Sequence, residues 1–397
     1  MLLAASRKFA LFAIGSMFLG ACGGGAAPGA SPSAAQAAPS AASKPAAPSS
    51  SSAKPSVVGS ASAALAASAS ASVAAKLSGS AAAGLVTVKV GLSSASPSNA
   101  GAYVGDGLGL FEQQGIRVEH VIFNSASAVA PAMINNQIDV ADVGINPAMF
   151  NTVIPAHAKV VADKGSTPPG FGFTSIVVRK DLADKIKGPA DFKGIQFGMT
   201  PPGLGTSNGY ALGVWLATAG ATVNDFHIQP IPFPEQVAAL SNKALDAAMM
   251  AEPFATQAVN NGIGVRLISS DKMVPYQQVA AITYTSGFIQ KPDLATKYMV
   301  AYLQGIRAYL DAFKKGLNKD KIVGILAKET GIQDTKLWGE MIPAGLDPDG
   351  KLNVKNIQEE EDYFKKLGLI KDTTPAADTF IDESFAQQAA RTLGPYG

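Results

Sequence analysis

From residue 86 to residue 269 the chain repeats one pattern, short β-rich runs separated by helix-patterned stretches. In a first series, 86–92, 116–123, 138–143 and 159–163 read as strands. Segments 102–114, 127–136 and one beginning at Asn146 read as the helices between them. Gly115 stands where a helix is stopped by a glycine, and Pro147 suits a first helical position. A second series follows, with strands at 175–179, 195–199, 227–231, 244–250 and 265–269 and helices at 207–219, 234–242 and 253–260. Repeated strand–helix–strand units bury their apolar strands only as mainly parallel sheets with helices on both faces. Two such series predict an α/β chain with two lobes. After Tyr284 the segments 292–313, 319–329 and 356–367 are long, charged and helix-patterned, and they are expected to return and cover the first lobe.

The first 83 residues cannot join this pattern. Arg7 and Lys8, the apolar run 9–18 and Leu19-Gly20-Ala21-Cys22 have the layout of an export signal with a small-residue processing site. The run is too short to span a bilayer. Cys22 is the only cysteine of the 397 residues, so neither an internal disulfide nor a multi-cysteine metal site is available. Residues 23–83 are almost entirely Ala, Ser, Pro and Gly, without an aromatic or a carboxylate, and read as a disordered tether. This segment also distorts the charge balance. Five of the 32 basic residues precede position 84, leaving 27 against all 30 acidic ones. A mildly acidic globule has no electrostatic footprint for nucleic acid.

In open α/β sheets, ligands sit beyond the carboxyl ends of the strands. Here those loops are 93–102, 124–127, 144–146 and 200–208, all short, small and hydroxyl-rich. They offer Ser94, Ser125, Asn146, Thr206 and Ser207 as ligand-binding candidates, with Tyr103 as a ring able to stack on a planar solute. Pro201-Pro202-Gly203-Leu204-Gly205-Thr206-Ser207-Asn208 links a strand to a helix, where free amides suit an anionic or polar acceptor group. A plain helix cap explains the same residues. Its glycines come close to a dinucleotide fingerprint but with one residue too many. Glu252, at a strand end before Pro253, either reaches the cleft or favours the following helix dipole. Asp139 and Asp246 each lead from a helix into a strand and read as structural. The Asp347-Pro348-Asp349-Gly350 run reads as a turn rather than a calcium loop. His120, His157 and His227 lack metal-ligand spacing, and no nucleophile–base pair surfaces. Neither an enzyme nor a metal or cofactor is expected.

The stretch 102–119, with Gly109-Leu110-Phe111 and Gly115, resembles the opening of the ABC-importer solute-binding proteins for nitrate, taurine, aliphatic sulfonates and thiamine-precursor pyrimidines. Gln137-Ile138-Asp139-Val140-Ala141, Asp191-Phe192-Lys193-Gly194 and the segment from Asp246 to Glu252-Pro253 resemble later parts of that family, in order and spacing. Leu19-Gly20-Ala21-Cys22 resembles the bacterial lipobox, which implies lipidation of Cys22 after removal of residues 1–22. The resemblance implies a class II periplasmic-binding fold with lobe one at 85–173 plus 284–397, lobe two at 174–283, and crossings near Thr174 and Thr283. It further implies a monomeric, lipid-anchored, extracytoplasmic receptor that closes on a small solute, sulfonate-like or pyrimidine-like, and delivers it to a permease with its ATPase. No Arg or Lys lies in the four loops, which counts against a strongly charged ligand. An enzyme on the same fold, or a surface sensory or adhesion receptor, is the alternative.

Overall fold

A computed structural model of the chain describes residues 84–92, 96–123, 126–153 and 155–397. The export signal, Cys22 and the 23–83 tether lie outside the described residues. All described residues belong to the second of the chain's two units, 78–397. Lobe one begins with β1 (Val86–Leu92), α1 (Ala100–Gly107), α2 (Leu110–Gln113), β2 (Ile116–Ile122), α3 (Ala126–Ile134), β3 (Val140–Gly144), α4 (Pro147–Val153) and β4 (Lys159–Ser166). Lobe two holds β5 (Thr174–Arg179), β6 (Gln196–Met199), α5 (Ser207–Ala217), β7 (His227–Pro230), α6 (Phe233–Ser241), β8 (Ala247–Ala251), α7 (Phe254–Asn260) and β9 (Gly264–Ser269), and the short α8 (Ser270–Met273) follows it. The chain then returns through β10 (Gln278–Tyr284), α9 (Ser286–Ile289), α10 (Pro292–Lys315), α11 (Lys319–Thr330), α12 (Thr335–Glu340), α13 (Val354–Lys366) and α14 (Ser384–Leu393).

The two sheets are built alike. Lobe one runs in the order β2-β1-β3-β10-β4 and lobe two in the order β7-β6-β8-β5-β9. In each sheet four strands share a direction and one runs against both its neighbours: β10 against β3 and β4, and β5 against β8 and β9. The reversed strand is in each case the one that has just crossed from the other lobe. A chain arriving from the cleft enters the sheet at the carboxyl ends of its strands, so it must run backwards. The crossings are therefore residues 167–173 and 270–277. The second lies before Thr283, correcting the boundary expected from the sequence, because β10 belongs wholly to the sheet of lobe one.

The crossings bind each other laterally. The Thr167 amide donates to the Gln277 carbonyl (3.1 Å) and the Tyr276 amide to the Thr167 carbonyl (2.9 Å). The Thr167 hydroxyl donates to the Val274 carbonyl at 2.7 Å, and the Gly170 amide donates to Asp271 Oδ2 at 2.9 Å.

Each lobe also repeats one strand-end device. Asp139 Oδ2 accepts from the Lys89 amide of β1 (3.0 Å), and Asp246 Oδ2 accepts from the Gln196 amide of β6 (2.9 Å). The Asp347 run is a turn, its carboxylate accepting from the amides of Asp349 and Lys351.

One face of the first sheet packs on α10, α1, α11 and α14, with Tyr298, Tyr302, Tyr309 and Tyr284 fully buried. The other packs on α3, α4 and α13 through Phe150, Ile357 and Phe364. The helix expected over 102–114 is two helices. Gly109, at φ 71°, breaks it, and the close approach of Ile325 to Gly107 fixes the break against α11. Lobe two has its own two-sided core, Phe192, Phe197, Trp215 and Phe226 on one face and Leu240, Leu245 and Met250 on the other.

Candidate functional site

The carboxyl ends of both sheets face one interlobe cleft, bounded on one side by the paired crossings. In lobe one the Ser96 hydroxyl caps the turn Pro97–Asn99 that leads into α1, accepting from the Ser98 amide (3.3 Å). Asn146 holds the loop after β3. Its Nδ2 donates to the Gly144 carbonyl (2.6 Å) and its Oδ1 accepts from the Met149 amide (3.0 Å), which orients the start of α4.

In lobe two Thr206 caps α5, accepting from the Gly209 amide at 3.1 Å and donating to the Gly203 carbonyl at 2.8 Å. The Ser207 amide, expected to face a ligand, donates instead across the cleft to the Ile145 carbonyl at 3.1 Å. At Gly205 an added Cβ would lie 3.6 Å from both Pro147 and Leu369. The loops 144–147 and 201–207 are thus in direct contact, and the lobes stand closed along this edge.

Of the sequence candidates, the structure brings Asn146, Thr206 and Ser207 to one edge of the cleft. Tyr103 lies elsewhere, buried in the core of lobe one, where Asn99 Nδ2 donates to its hydroxyl (3.2 Å) and its ring meets His120 edge-on. Glu252 is also withdrawn. Its carboxylate takes Arg266 Nη2 at 2.7 Å, the Thr256 amide at 3.1 Å and the Ile342 amide at 3.3 Å, and so ties β9, α7 and the C-terminal segment together. Ser94 and Ser125 fall outside the described residues.

Sequence reasoning missed the charges and the C-terminal contacts. Lys164 of β4 is buried beside Asp142 of β3 at 3.0 Å. Burial raises the Asp142 carboxyl above its usual range, and the Lys164 ammonium partly offsets this. Arg266 is likewise committed to Glu252. The cations carried by β4 and β9 themselves, Lys164 and Arg266, are therefore already paired. Gln277 of the second crossing donates through Nε2 to the Ser207 carbonyl (2.7 Å) and to Glu360 Oε1 of α13 (2.8 Å). Burial drives the Glu360 carboxyl well above its usual range, a shift the Gln277 bond partly counters. A signal for these residues was absent because their partners lie 70 and 83 positions away. Among the described residues no three His, Cys, Asp or Glu side chains gather as metal ligands, and no helix is long and apolar enough to cross a membrane.

Two α/β lobes joined by two crossings, with strand ends facing one cleft, define the periplasmic-binding type of fold. The sequence model of the NMT1-like family matches residues 81–327, more than half of the chain, and the chain belongs to that family. The nitrate/nitrite binding protein NrtA of Nostoc sp. (strain PCC 7120) is 30% identical over 127 residues, 32% of this chain and 28% of that protein. The match therefore spans under a third of that relative's length. Among solved structures, the alkanesulfonate-binding protein SsuA from Xanthomonas axonopodis pv. citri, bound to MOPS, is similar with a TM-score of 0.60 at 18% identity, over 76% of this chain and 99% of that one. The periplasmic nitrate-binding protein NrtA from Synechocystis PCC 6803 is similar with a TM-score of 0.62 at 18% identity, over 78% and 89% of the two chains. The desulfurization enzyme DSZB shares the fold with a TM-score of 0.57 at 15% identity, over 78% of this chain and all of that one.

Proposed function

We propose that this chain is the extracytoplasmic solute-binding receptor of an ABC importer. It captures a small organic solute, a sulfonate-like anion or a pyrimidine-like ring, by closing its lobes about the two crossings. The observation that carries this reading is the paired-crossing architecture: a hinge of two short segments beside a cleft lined by strand ends. Membership of the NMT1-like family supports it, as do the binding proteins SsuA and NrtA, whose fold the chain shares. Lys164 and Arg266 are each committed to a carboxylate, and in this reading the hydroxyls and helix-start amides of the loops after the strands hold an anionic group. In this reading Cys22 carries the lipid anchor, 23–83 is the tether, and the monomeric receptor docks closed on a permease with its ATPase.

A second reading has a specific observation behind it. DSZB shows that this fold also carries catalysis. The only cysteine of this chain, Cys22, stands far ahead of the first strand, so a thiol nucleophile is not available to the cleft from within the lobes.

Thermal-shift screening against alkanesulfonates, nitrate, bicarbonate, pyrimidines and aromatic acids tests both. A ligand at 100 times its Kd adds about 2.7 kcal/mol of stability. A saturable shift with one chemical class and no product is the result expected of a receptor. Turnover of the bound compound would move the assignment to an enzyme.

A further inference from the structure

Helix α13 belongs to lobe one but grips lobe two. Its inner face is built into the lobe-one core, where Ile357 and Phe364 pack with Phe150 and Ala281. Asn356 Oδ1 accepts from the Gln278 amide of β10 at 2.7 Å, which fixes α13 to the strand that follows the second crossing. Another edge of the helix carries Asn356, Glu359 and Tyr363, spaced three and four apart and so aligned on one side. This edge meets the first two turns of α5. The Tyr363 hydroxyl donates to the Gly209 carbonyl at 2.9 Å, and the Tyr210 hydroxyl donates to Glu359 Oε2 at 3.2 Å. Asn356 Nδ2 donates to Glu359 Oε2 at 3.1 Å, and the Tyr210 and Tyr363 rings meet edge-on with centroids 5.6 Å apart. At Gly213 an added Cβ would come 2.8 Å from Tyr363 Cε2.

Glycine weakens a helix interior, so its presence at Gly213 calls for a physical reason. The Tyr363 ring supplies one, because it lies where the next larger side chain would stand. On the hinge side, Gln277 joins the Ser207 carbonyl to Glu360. One face of one helix therefore touches both lobes and the second crossing.

We propose that α13 is a closure latch. The edge Asn356, Glu359 and Tyr363 of lobe one engages the Gly209–Gly213 face of α5 and makes the closed arrangement the resting state, so the lobes part only when the latch releases. The purpose of the latch rests on the receptor reading, since such a device sets how often the cleft admits a solute. Its test needs no solute, so the latch and the receptor reading can fail separately.

The Ser207 amide, bonded across the cleft to Ile145, reports lobe opening through hydrogen exchange. Exchange is measured by mass spectrometry on the full chain without added ligand, for wild type, Tyr363→Phe and Gly213→Ala. Tyr363→Phe deletes one hydrogen bond and is expected to speed exchange of the Ser207 amide about ten-fold. Gly213→Ala is expected to speed it further by displacing the ring. Alanine strengthens a helix intrinsically, so faster exchange there cannot come from a weakened α5. Amides of β1 and α10 should keep the wild-type rate. Unchanged exchange at Ser207 in both variants would overturn the proposal. Equal acceleration in β1 and α10 would also overturn it, by showing ordinary packing.

Discussion

Asp163, in β4 next to the first crossing, takes three N–H donors in a place closed to water. Gln278 Nε2 and the Gly165 amide bond to its Oδ1, and the Asp347 amide bonds to its Oδ2 at 2.7 Å. Burial pushes the carboxyl up to about 7, with those donors restraining it. In the unfolded chain an aspartate releases its proton near pH ~4. Between these values the folded chain binds more protons than the unfolded one, so stability falls as the pH rises. The contribution of this group is complete below about pH 4 and is lost as the pH passes about 7. Asn has the shape of the protonated acid. Asp163→Asn should therefore flatten the decline, so that urea unfolding at pH 5 and pH 8 differs less in the variant than in wild type. An equal decline in both would mean that Asp163 stays ionised throughout.

Among elements, α1 and α10 pack closely enough to require glycine on both. Gly101 and Gly105 of α1 face Gly305 of α10, where an added Cβ would run into the Gly101 carbonyl oxygen and the Gly105 amide. Gly305→Ala should lower stability by about 1–3 kcal/mol despite the better helix propensity of alanine, because the helices must separate. Thermal unfolding measures this, and a stabilised variant would refute the packing argument. Elements with a strong local period were legible in the sequence, since β-branched alternation in 86–92 or 265–269 needs no tertiary context. β10 was not, because Ala280 and Ala281 dilute its pattern and only the four-residue α8 separates it from β9. The site was less legible still. Thr206 and Ser207 could be placed at a helix start, but whether an amide there meets a ligand or the Ile145 carbonyl depends on the opposite lobe. The Tyr363–Gly209 and Tyr210–Glu359 contacts join residues about 150 positions apart, a separation at which local pattern carries no information.

Taken whole, the molecule holds its lobes together by more than the crossings. The C-terminal segment meets lobe two at two places, through Glu340 with Asn260 (2.6 Å) and the Ile342 amide with Glu252, and through α13. It belongs to lobe one by its core and to both lobes by its contacts. The reversed strands have a consequence in time. Lobe two is one uninterrupted stretch, 174–269, whereas lobe one needs β10 between β3 and β4 before β4 has a sheet partner. A chain emerging from its N-terminus can complete the later lobe while the earlier one still waits for its keystone. The same order is expected in refolding, where the shorter loops close first. Pulse-labelled hydrogen exchange should show β5, β6 and β8 protected before β4, and simultaneous protection would contradict it. The segment made first is then the last to be finished, and until residues 278–284 arrive its open sheet edge is the part of this protein most exposed to mispairing.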